Sequence, residues 1–421
     1  MKKVHPSNIH HMKLLYLPSY FPPEIYSDLH LDDDRFKAFV RAGMQLEVHA
    51  PIPTRGIDSS VRRSAAREEK LYGNKMKVRR FYAWNEGKNP VGRALRYFYC
   101  WMHQLYDGWR AKDVDLLYMM STAPIQGLLG AALKKIKGVP FVYNLQDIFP
   151  DTLVGAGLTK KGSLIWRIGR WVENTTYRNA DRIIVISEGF KANIMAKGVP
   201  EEKIEVVYNW VDENEVTPIA KEDNPLFDEL GLSRSDFHVL YAGNLGEAQY
   251  LDVVIDAAEQ LQSRQEIQFI IFGTGGLEDQ LKAEVARRGL PNVRFFPLQP
   301  LERVSQVYSL GDVGIVSCKP GIGACAMPSK TWTILSTGRA ALVHFDEGEL
   351  HHIIQRANCG VFTLSGDTEA FVNAITDLAD NPEKCRELGA NGRQFILRNL
   401  TCEYGTSRYV EVIKSLAAKE Q

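Results

Sequence analysis

The sequence predicts an α/β protein made of two domains, each built on a parallel sheet. At 421 residues the chain is longer than one hydrophobic core usually organises. Residues 13–50 show a strand, a helix and a second strand, and such units build parallel sheets with helices on both faces. The pattern restarts at residue 237, after a polar stretch that contains two prolines.

The composition excludes several classes of protein. The 51 Lys and Arg residues balance 51 Asp and Glu residues, which argues against a dedicated nucleic-acid binder with a basic footprint. No apolar run has the length that spans a bilayer, and the N-terminus lacks the apolar core of a secretory signal. The six cysteines have no metal-binding spacing. We therefore expect reduced thiols in a cytoplasmic protein, and no metal or other cofactor.

The pattern of elements divides the chain into four segments. Residues 1–12 are expected to be a disordered extension, and residues 13–213 to form the N-terminal domain. Residues 214–401 are expected to form the C-terminal domain, and residues 402–421 a final helix. The polar residues 213–236 are predicted to link the domains.

The N-terminal domain alternates strands and helices. Apolar runs predict strands at residues 13–17, 44–50, 75–82, 115–119, 140–145, 181–186 and 204–208. Helical periodicity predicts helices at residues 29–42, 90–112, 125–137, 163–178 and 188–197, the last capped by Ser187. Residues 54–70 are polar and are predicted to form a mobile surface loop.

The C-terminal domain repeats this alternation. Apolar runs predict strands at residues 237–242, 268–272, 293–296, 313–317 and 340–343. Helices are predicted at residues 250–264, 277–288 and 329–337.

Three loops in this domain connect a strand to a helix and are rich in small residues. The loops are residues 243–246, 273–276 and 321–328. Loops of this kind expose backbone N–H groups that bind anions. Their spacing is neither that of a P-loop nor that of a dinucleotide fingerprint. Glycine also serves plain turns, but three such loops favour a ligand site.

Lys330 lies in the first turn of the helix that follows the third loop. A lysine is unfavourable there because the helix dipole is positive at its N-terminus. We therefore predict that Lys330 meets the charge of a bound diphosphate. The alternative is a surface lysine on an ordinary loop.

Two acids follow the strand at residues 140–145. Side chains at the carboxyl ends of parallel strands face the ligand crevice, which makes Asp147 a functional candidate. Asp151 lies four residues further on, and a helix N-cap is the structural alternative for it.

The helix at residues 90–112 is rich in aromatic and basic side chains. Arg93, Trp101 and Trp109 are among them, and this composition is typical of helices that lie at a membrane surface. The alternative is a core-packed helix whose arginines face water.

Short motifs along the chain, taken together in order and spacing, resemble one enzyme family. From about Met12 onward the chain resembles the GT-B glycosyltransferases of family 4, above all the branch that builds bacterial O-antigen, capsule and colanic-type polysaccharides. The motifs are Phe21–Glu24, Ser121–Pro124, Gln146–Asp151, Ala180–Ser187, Asn209–Asp212, Tyr241–Gly246, Phe272–Gly276, Met327–Lys330 and Gly348–Glu349.

The resemblance implies two Rossmann-like domains that face each other across a cleft, with a final helix that crosses back to the first domain. It implies that the C-terminal domain binds a nucleotide sugar and that sugar transfer retains the anomeric configuration without a metal. The donor-binding residues would be Gly243, Asn244, Gly246, Gly273, Gly275, Gly276, Met327, Pro328, Ser329, Lys330 and Glu349.

The N-terminal domain would bind the acceptor through Glu24, Tyr26, Asp147 and Asp151. Asp147 would orient or deprotonate the acceptor hydroxyl. Glu24 would contact a sugar, and Lys330 would stabilise the leaving diphosphate, so these three residues are the predicted catalytic groups.

The sequence departs from the family pattern in the donor loop. Many members carry two Glu residues where this chain has Cys325 and Thr333. Many also carry an Arg and a Lys where this chain has Asn244 and Gln249. Backbone N–H groups, helix N-termini and Lys330 would then have to meet the charge of the diphosphate.

The resemblance therefore predicts transfer of a sugar from a nucleotide donor, UDP in preference to GDP, to a glycan. The acceptor would be a glycan or a polyprenyl-diphosphate-linked saccharide at the cytoplasmic face of the inner membrane. Residues 62–70 and 93–112 would touch that membrane. Two alternatives remain: a sugar-nucleotide 2-epimerase of the same fold, and a catalytically degenerate scaffold protein.

Overall fold

The computed structural model describes residues 12–24, 29–55, 57–85, 89–155, 157, 159–323 and 326–418. The chain forms two compact units. Unit 1 contains residues up to Tyr208 and again from Gly405, and unit 2 is Asn209–Tyr404. The predicted extension up to residue 11 lies outside the described residues, as do Tyr26 and Cys325.

The described residues of unit 1 contain eight strands: β1 (Lys13–Tyr16), β2 (Gln45–Pro51), β3 (Glu68–Leu71), β4 (Met76–Phe81), β5 (Leu116–Met120), β6 (Phe141–Leu145), β7 (Arg182–Val185) and β8 (Ile204–Val206). They form one sheet in the order β3-β4-β2-β1-β5-β6-β7-β8. All neighbouring strands are parallel except β3 and β4, which confirms the predicted parallel sheet.

In the part of unit 1 that the structure describes, seven α-helices accompany these strands before the chain enters unit 2. They are α1 (Leu29–Arg41), α2 (Ser59–Ser64), α3 (Pro90–Arg110), α4 (Gln126–Lys137), α5 (Asp151–Gly155), α6 (Leu164–Asn179) and α7 (Glu188–Ala196). The predicted cap of α7 is confirmed, because the hydroxyl of Ser187 accepts the N–H of Phe190 at 3.0 Å. α4 packs against both α3 and α6, and its apolar side joins the core above the sheet.

Outside residues 324 and 325, which the structure does not describe, unit 2 contains six parallel strands: β9 (Phe237–Ala242), β10 (Ile267–Phe272), β11 (Val293–Phe296), β12 (Val313–Ser317), β13 (Ala340–Phe345) and β14 (Gly360–Leu364). Their order in the sheet is β11-β10-β9-β12-β13-β14. This is the Rossmann order, in which the direction of winding reverses between the first and fourth strands, here β9 and β12. The crevice at the carboxyl ends of these two strands is where open α/β sheets bind ligands.

The described part of unit 2 also has eight α-helices: α8 (Leu226–Leu230), α9 (Asp252–Gln260), α10 (Glu278–Arg288), α11 (Val304–Tyr308), α12 (Ser329–Ser336), α13 (Glu349–Ala357), α14 (Thr368–Asp380) and α15 (Pro382–Asn399). Continuous apolar runs such as Phe269–Phe272 are buried, as expected for strands that are covered on both faces.

The chain returns to unit 1 with α16 (Cys402–Ala418), in the region predicted to be the final helix. Tyr409 on α16 is fully buried, and its hydroxyl donates to Asn144 Oδ1 at 3.1 Å. The guanidinium of Arg35, also buried and paired with Asp32, lies 5.3 Å from the centre of the Tyr409 ring. α16 therefore supplies part of the interior of unit 1.

The prediction of a mobile loop at residues 54–70 is wrong. This segment contains α2, capped by the Asp58 carboxylate, and most of β3. β3 is a short edge strand in which three of the four residues are charged, so it lacks the apolar alternation by which a strand is recognised.

The predicted linker at residues 213–236 is also not a free connection. It contains α8, and Leu226 and Phe227 on that helix are fully buried in a core cluster of unit 2. The buried amide of Asn224 donates to the carbonyl of Gln306 at 2.8 Å. Only a few apolar residues among many polar ones make these contacts. The packing of the segment could therefore not be predicted from its composition.

Candidate active site

The loops that follow β9 and β12 meet at the point where the winding of the unit 2 sheet reverses. Gly243 directly follows β9, and Lys330 lies in the first turn of α12, after the loop from β12. A Cβ atom on Gly243 would lie 2.9 Å from Lys330 Nζ, so these two residues are in direct contact. Gly243 has a φ of +148°, a conformation that favours glycine. The structure thus brings together two predicted donor residues.

The ammonium of Lys330 is enclosed, although the stem of its side chain is partly exposed. Its Nζ lies 3.9 Å from the centre of the Tyr241 ring and has no hydrogen-bond partner within the described chain. Burial lowers the pKa of Lys330 to about 7, because a charged ammonium loses its hydration there. An anionic group placed at this point would restore the charged form and supply the missing acceptor.

The two glycine-rich loops are packed against each other too closely for side chains. A Cβ atom on Gly273 would lie 2.1 Å from the carbonyl oxygen of Gly243. A Cβ atom on Gly275 would lie 2.3 Å from the carbonyl oxygen of Leu245. Around Gly276 there is open space within 4 Å. Two of these glycines therefore serve loop packing, and Gly276 leaves room for a ligand.

Asn244 and Gln249 lie at the positions where the sequence analysis expects Arg and Lys in many members of the family. The Asn244 amide donates to Gln249 Oε1 at 3.2 Å, so the two side chains bind each other. Asn244 is exposed, and a Cβ atom on Gly246 would touch its amide at 2.7 Å. The pair shapes the loop without adding charge, and Lys330 is a cation that lies directly against Gly243.

Sequence reasoning missed two side chains that build this site. Tyr241 supports Lys330 with its ring, and its hydroxyl donates to the Asn244 carbonyl at 2.6 Å. Asp346 accepts the N–H groups of Gly321 and Gly323 at 3.0 and 2.7 Å and so fixes the loop after β12. Asp346 directly follows β13, and the rule that selected Asp147 would have selected it too.

The remaining predicted donor residues lie at helix starts of unit 2. Pro328 precedes α12, Ser329 begins it, and within the described residues no side chain caps this helix. Met327 is half-buried on the approach, and Thr333 is half-buried one turn into α12. Glu349 begins α13 after β13, as predicted. Their roles toward a donor stay predictions.

In unit 1, Asp147 lies exposed just beyond the carboxyl end of β6. Its backbone N–H and that of Gln146 both donate to the hydroxyl of Ser121, at 3.2 and 2.9 Å. Ser121 follows β5, so this hydroxyl ties together the loops after two neighbouring strands. Asp147 is thus a surface carboxylate on a fixed backbone, as an acceptor-orienting group requires.

Glu24 is fully buried, which does not support direct contact with a sugar. Its two carboxylate oxygens accept backbone N–H groups from Phe21, Thr54 and Arg55 at 2.7–3.1 Å. Burial raises the pKa of Glu24 above its ordinary value, while these N–H groups oppose the rise. Glu24 joins the loop after β1 to the segment after β2, a positioning role that its place in a motif could not reveal.

Asp151 also has structural partners. Its carboxylate accepts the ammonium of Lys197 at 2.7 Å and the amide of Asn193 at 3.3 Å. Lys197 in turn binds Glu173 at 2.7 Å. This ion-pair network between α5, α6 and α7 accounts for Asp151, so the geometry gives no support to its predicted contact with an acceptor.

The outer face of α3 is apolar. Five of its large apolar side chains are 47–59% exposed: Leu95, Phe98, Met102, Tyr106 and Trp109. Arg96 is instead buried and donates to the Trp84 carbonyl and the Thr54 hydroxyl, both at 3.0 Å. The alternative was a core-packed helix whose arginines face water. It is wrong for Arg96, which is buried, and for the five apolar side chains, which are exposed.

Among the described residues, no cluster of three or more His, Cys, Asp or Glu side chains could hold a metal ion. Among them, too, no helix has the length and apolar character to cross a bilayer.

Two family models match the chain, one in each half. Residues 36–215 match the model described as Glycosyltransferase Family 4. Residues 223–395 match the model described as Glycosyl transferases group 1.

Curated relatives include bacterial glycosyltransferases. The chain is 32% identical over 214 residues to WcaI of Escherichia coli K12, a putative colanic acid biosynthesis glycosyl transferase; the match covers 50% of this chain and 52% of WcaI, about half of its length. It is 24% identical over 313 residues to WbjE of Pseudomonas aeruginosa, a probable glycosyltransferase, with 74% of this chain and 77% of WbjE covered.

Solved structures confirm the GT-B fold. Sucrose-phosphate synthase from Thermosynechococcus elongatus has a TM-score of 0.78 at 15% identity, covering 97% of this chain and 100% of that one. HepE from Anabaena in complex with UDP has a TM-score of 0.71 at 18% identity, covering 96% and 100%. WaaG, a glycosyltransferase involved in lipopolysaccharide biosynthesis, has a TM-score of 0.68 at 15% identity, covering 95% and 99%.

Proposed function

Since this chain belongs to the GT-B glycosyltransferases of family 4, we propose that it moves a sugar from a nucleotide donor to a glycan hydroxyl in surface-polysaccharide synthesis. The transfer retains the anomeric configuration and needs no metal. UDP is the proposed carrier rather than GDP, and the relative WcaI, named for colanic acid synthesis, supports a polysaccharide product. The presence of UDP in a structural neighbour, HepE, makes this nucleotide the first to test.

The observation that carries the proposal is the enclosed ammonium of Lys330. When a glycosidic bond to a nucleoside diphosphate breaks, negative charge develops on the diphosphate and must be stabilised without reorganisation. Lys330 stands against the loop after β9 with no hydrogen-bond acceptor within the described chain. The N-terminus of α12 and the loop around Gly276 add backbone N–H groups to the same edge of the sheet. Together they provide the counter-charge that a metal supplies in other enzymes.

Asp147 is the proposed group that orients the acceptor hydroxyl. It is exposed at the carboxyl end of β6, where ligands approach an open α/β sheet. Its carboxylate would accept the hydroxyl proton as the new bond forms. Glu24 acts at a distance, by fixing the loop after β1.

The proposed acceptor is a lipid-linked saccharide, and unit 1 would meet the membrane through α3, α4 and α6. Each of these helices carries three Lys or Arg residues, whereas they contain just two acids, Asp107 and Glu173. Asp107 binds the His103 ring and Glu173 binds the ammonium of Lys197, both within unit 1. Exposed apolar side chains with basic neighbours are typical of proteins that bind an anionic membrane surface.

Thermal unfolding with UDP, GDP, ADP, CMP and NAD tests the donor assignment. A ligand at 100 times its dissociation constant stabilises the protein by about 2.7 kcal/mol, a readily detected shift. We expect a shift with UDP that persists in EDTA. A shift with GDP alone would reassign the donor, and no shift with any nucleotide would favour the degenerate scaffold.

A product assay then separates transfer from epimerisation. A transferase consumes the UDP-sugar in proportion to a glycosylated acceptor, whereas a 2-epimerase consumes it without acceptor. The anomeric proton of the product, followed by NMR, should show the configuration of the donor. An inverted product would refute retention.

A further inference from the structure

A basic groove of about 770 Å³ lies in unit 1, between α3 and the outer strands of the sheet. Its lining includes alternate residues of β2 and β4, which point to one face of the sheet. The register pairs Glu47 with Lys77 and His49 with Arg79 across these strands. The last turns of α3 form the opposite wall, with His103 and neighbouring residues.

Cations dominate the lining of this groove. The basic side chains are Lys13, Arg67, Lys77, Arg79, Arg80, Arg110 and Lys112, and the acidic side chains are Glu47, Glu68 and Asp107. The whole chain carries no net charge, so this excess is a local feature. A concave surface lined by one sign of charge concentrates ions of the opposite sign.

The three acids of the groove already have partners, and the carboxylate of Glu68 binds Arg79 at 3.2 Å. Glu47 binds Lys13 at 2.5 Å and His49 at 2.8 Å, and Asp107 binds His103 at 3.0 Å. Burial alone would raise the pKa of Glu47, but hydrogen bonds from His49 and Lys13 outweigh it and lower the pKa to about 2. These carboxylates are therefore charged and occupied, and they hold the wall in place.

Three cations of the lining remain available to a ligand. Arg67, Lys77 and Lys112 have no ion-pair or hydrogen-bond partner for their side chains within the described part of the chain. Carbonyl groups just after the end of α3 would repel an anion, but they accept hydrogen bonds from two further lysines. Lys13 donates to the Lys112 carbonyl at 2.8 Å, and Lys137 donates to the Ala111 carbonyl at 2.5 Å.

The groove also has an aromatic side. Phe81 stacks on the His103 ring with 4.1 Å between centres, and Tyr106 forms part of the rim. Its volume is that of a small-molecule site, within the range of about 300–1,000 Å³ that such sites occupy. It suits a compact anion with an organic part better than an extended polymer.

We propose that this groove binds a ligand with two or more phosphate groups, at a site separate from the one that handles the sugar donor. The groove lies in unit 1, whereas Lys330 and the glycine-rich loops lie in unit 2. Lys13 is the first residue of β1, and Lys112 precedes β5. These cations therefore lie at the amino ends of the strands, away from the carboxyl ends that carry Asp147. The phosphate groups belong either to a soluble molecule or to lipid headgroups.

Titration calorimetry with inorganic pyrophosphate tests the site in the full chain. The Lys330→Ala background removes the main cation of the donor site, so that the groove dominates the signal. In that background, Lys77→Ala with Lys112→Ala should weaken binding about tenfold or more, because two charged contacts are lost. Lys75→Ala is the matched control, since Lys75 is an exposed lysine on the turn before β4 that does not line the groove.

A labelling experiment on the unaltered chain gives an independent measurement. Pyrophosphate should protect Lys77 and Lys112 from acetylation, detected by mass spectrometry, and leave Lys75 as reactive as before. Binding that is equal in the double variant and the Lys75→Ala control, together with no protection of Lys77 or Lys112, would overturn the proposal.

Vesicles separate the two sources of phosphate. If headgroups are the ligand, vesicles of phosphatidylglycerol should pull down the unaltered chain, release it on addition of pyrophosphate, and bind the double variant less well. If the ligand is soluble, vesicle binding should be equal in both proteins while pyrophosphate binding differs. Either result supports the site, and equality in both assays refutes it.

Discussion

The ammonium nitrogen of Lys330 lies 3.9 Å from the centre of the Tyr241 ring. The face of an aromatic ring attracts a cation but accepts no full hydrogen bond from it. The ring therefore holds Lys330 in place and leaves its donors unused within the described chain. This relationship leads to two predictions about the same side chain, one on binding and one on stability.

Lys330→Ala should weaken UDP binding by about 1.5–3 kcal/mol, the range for a hydrogen bond to a charged group. Calorimetry on the purified variant measures this directly. Lys319→Ala is the control, because Lys319 lies on the loop from β12 but is 55% exposed and 3.5 Å from Glu247. Equal affinities in both variants would remove Lys330 from the donor site.

Lys330→Met should stabilise the nucleotide-free protein at pH 6–7. The pKa of Lys330 is about 7 in the folded chain and about 10.5 when unfolded. Below pH 7 both states hold the proton, and burial of the charge destabilises the fold in full. Between pH 7 and 10.5 the unfolded state binds more protons, so stability rises with pH.

Urea denaturation at several pH values measures whether the free energy of unfolding rises with pH, as predicted. The rise in stability of the parent protein between pH 7 and 10 should shrink in Lys330→Met. An identical pH profile in both proteins would show that the ammonium is hydrated, and the proposed enclosure would be incorrect. A site that costs stability in order to bind its ligand is common in enzymes.

Gly273→Ala should destabilise unit 2 and abolish donor binding, whereas Gly276→Ala should leave stability nearly unchanged. The added methyl group would lie 2.1 Å from the Gly243 carbonyl oxygen in the first variant and in open space in the second. Such an overlap must move backbone, at a cost of about 1–3 kcal/mol. Thermal melting of both variants measures the difference. Similar melting temperatures would mean that the two loops separate easily.

Phe98→Ser with Trp109→Ser should reduce co-sedimentation with anionic vesicles. Both side chains are more than half exposed on α3, so their loss removes membrane contact without disturbing the core. Leu298→Ser with Leu301→Ser, which alters apolar residues of unit 2 that are also more than half exposed, is the matched control. Equal vesicle binding by both double variants, or none by the parent chain, would refute membrane docking through α3.

Arg96 is unsuitable for that vesicle experiment because its side chain is buried. From sequence, Arg96 belongs with Arg93 and Trp109 to one basic and aromatic helix. The structure buries Arg96, where it holds the segment after β4 through the Trp84 carbonyl. Replacing it would disturb unit 1 itself, and a loss of vesicle binding would then have no clear meaning.

The sheet and the donor loops could be predicted because their causes are local. Apolar runs identify buried strands, and Gly243 and Gly273 can be recognised because their backbone positions require glycine. Contacts between segments that are distant in sequence produce no local pattern of this kind. Glu24 has the residue type and motif position of a catalytic acid, yet its oxygens are used by Thr54 and Arg55, some thirty residues away. Asp346 could have been found by the reasoning applied to Asp147.

The burial of Tyr409 in unit 1 has a consequence for the order of events during synthesis. The first segment of unit 1 is translated before unit 2, but the interior of unit 1 lacks the Tyr409 side chain until all of unit 2 has been translated. Unit 2 is continuous in sequence and can close as soon as it emerges. Translation of unit 1 thus starts before that of unit 2, but unit 1 is completed after it. Until then, Arg35 and Asn144 lack their contacts with the Tyr409 side chain.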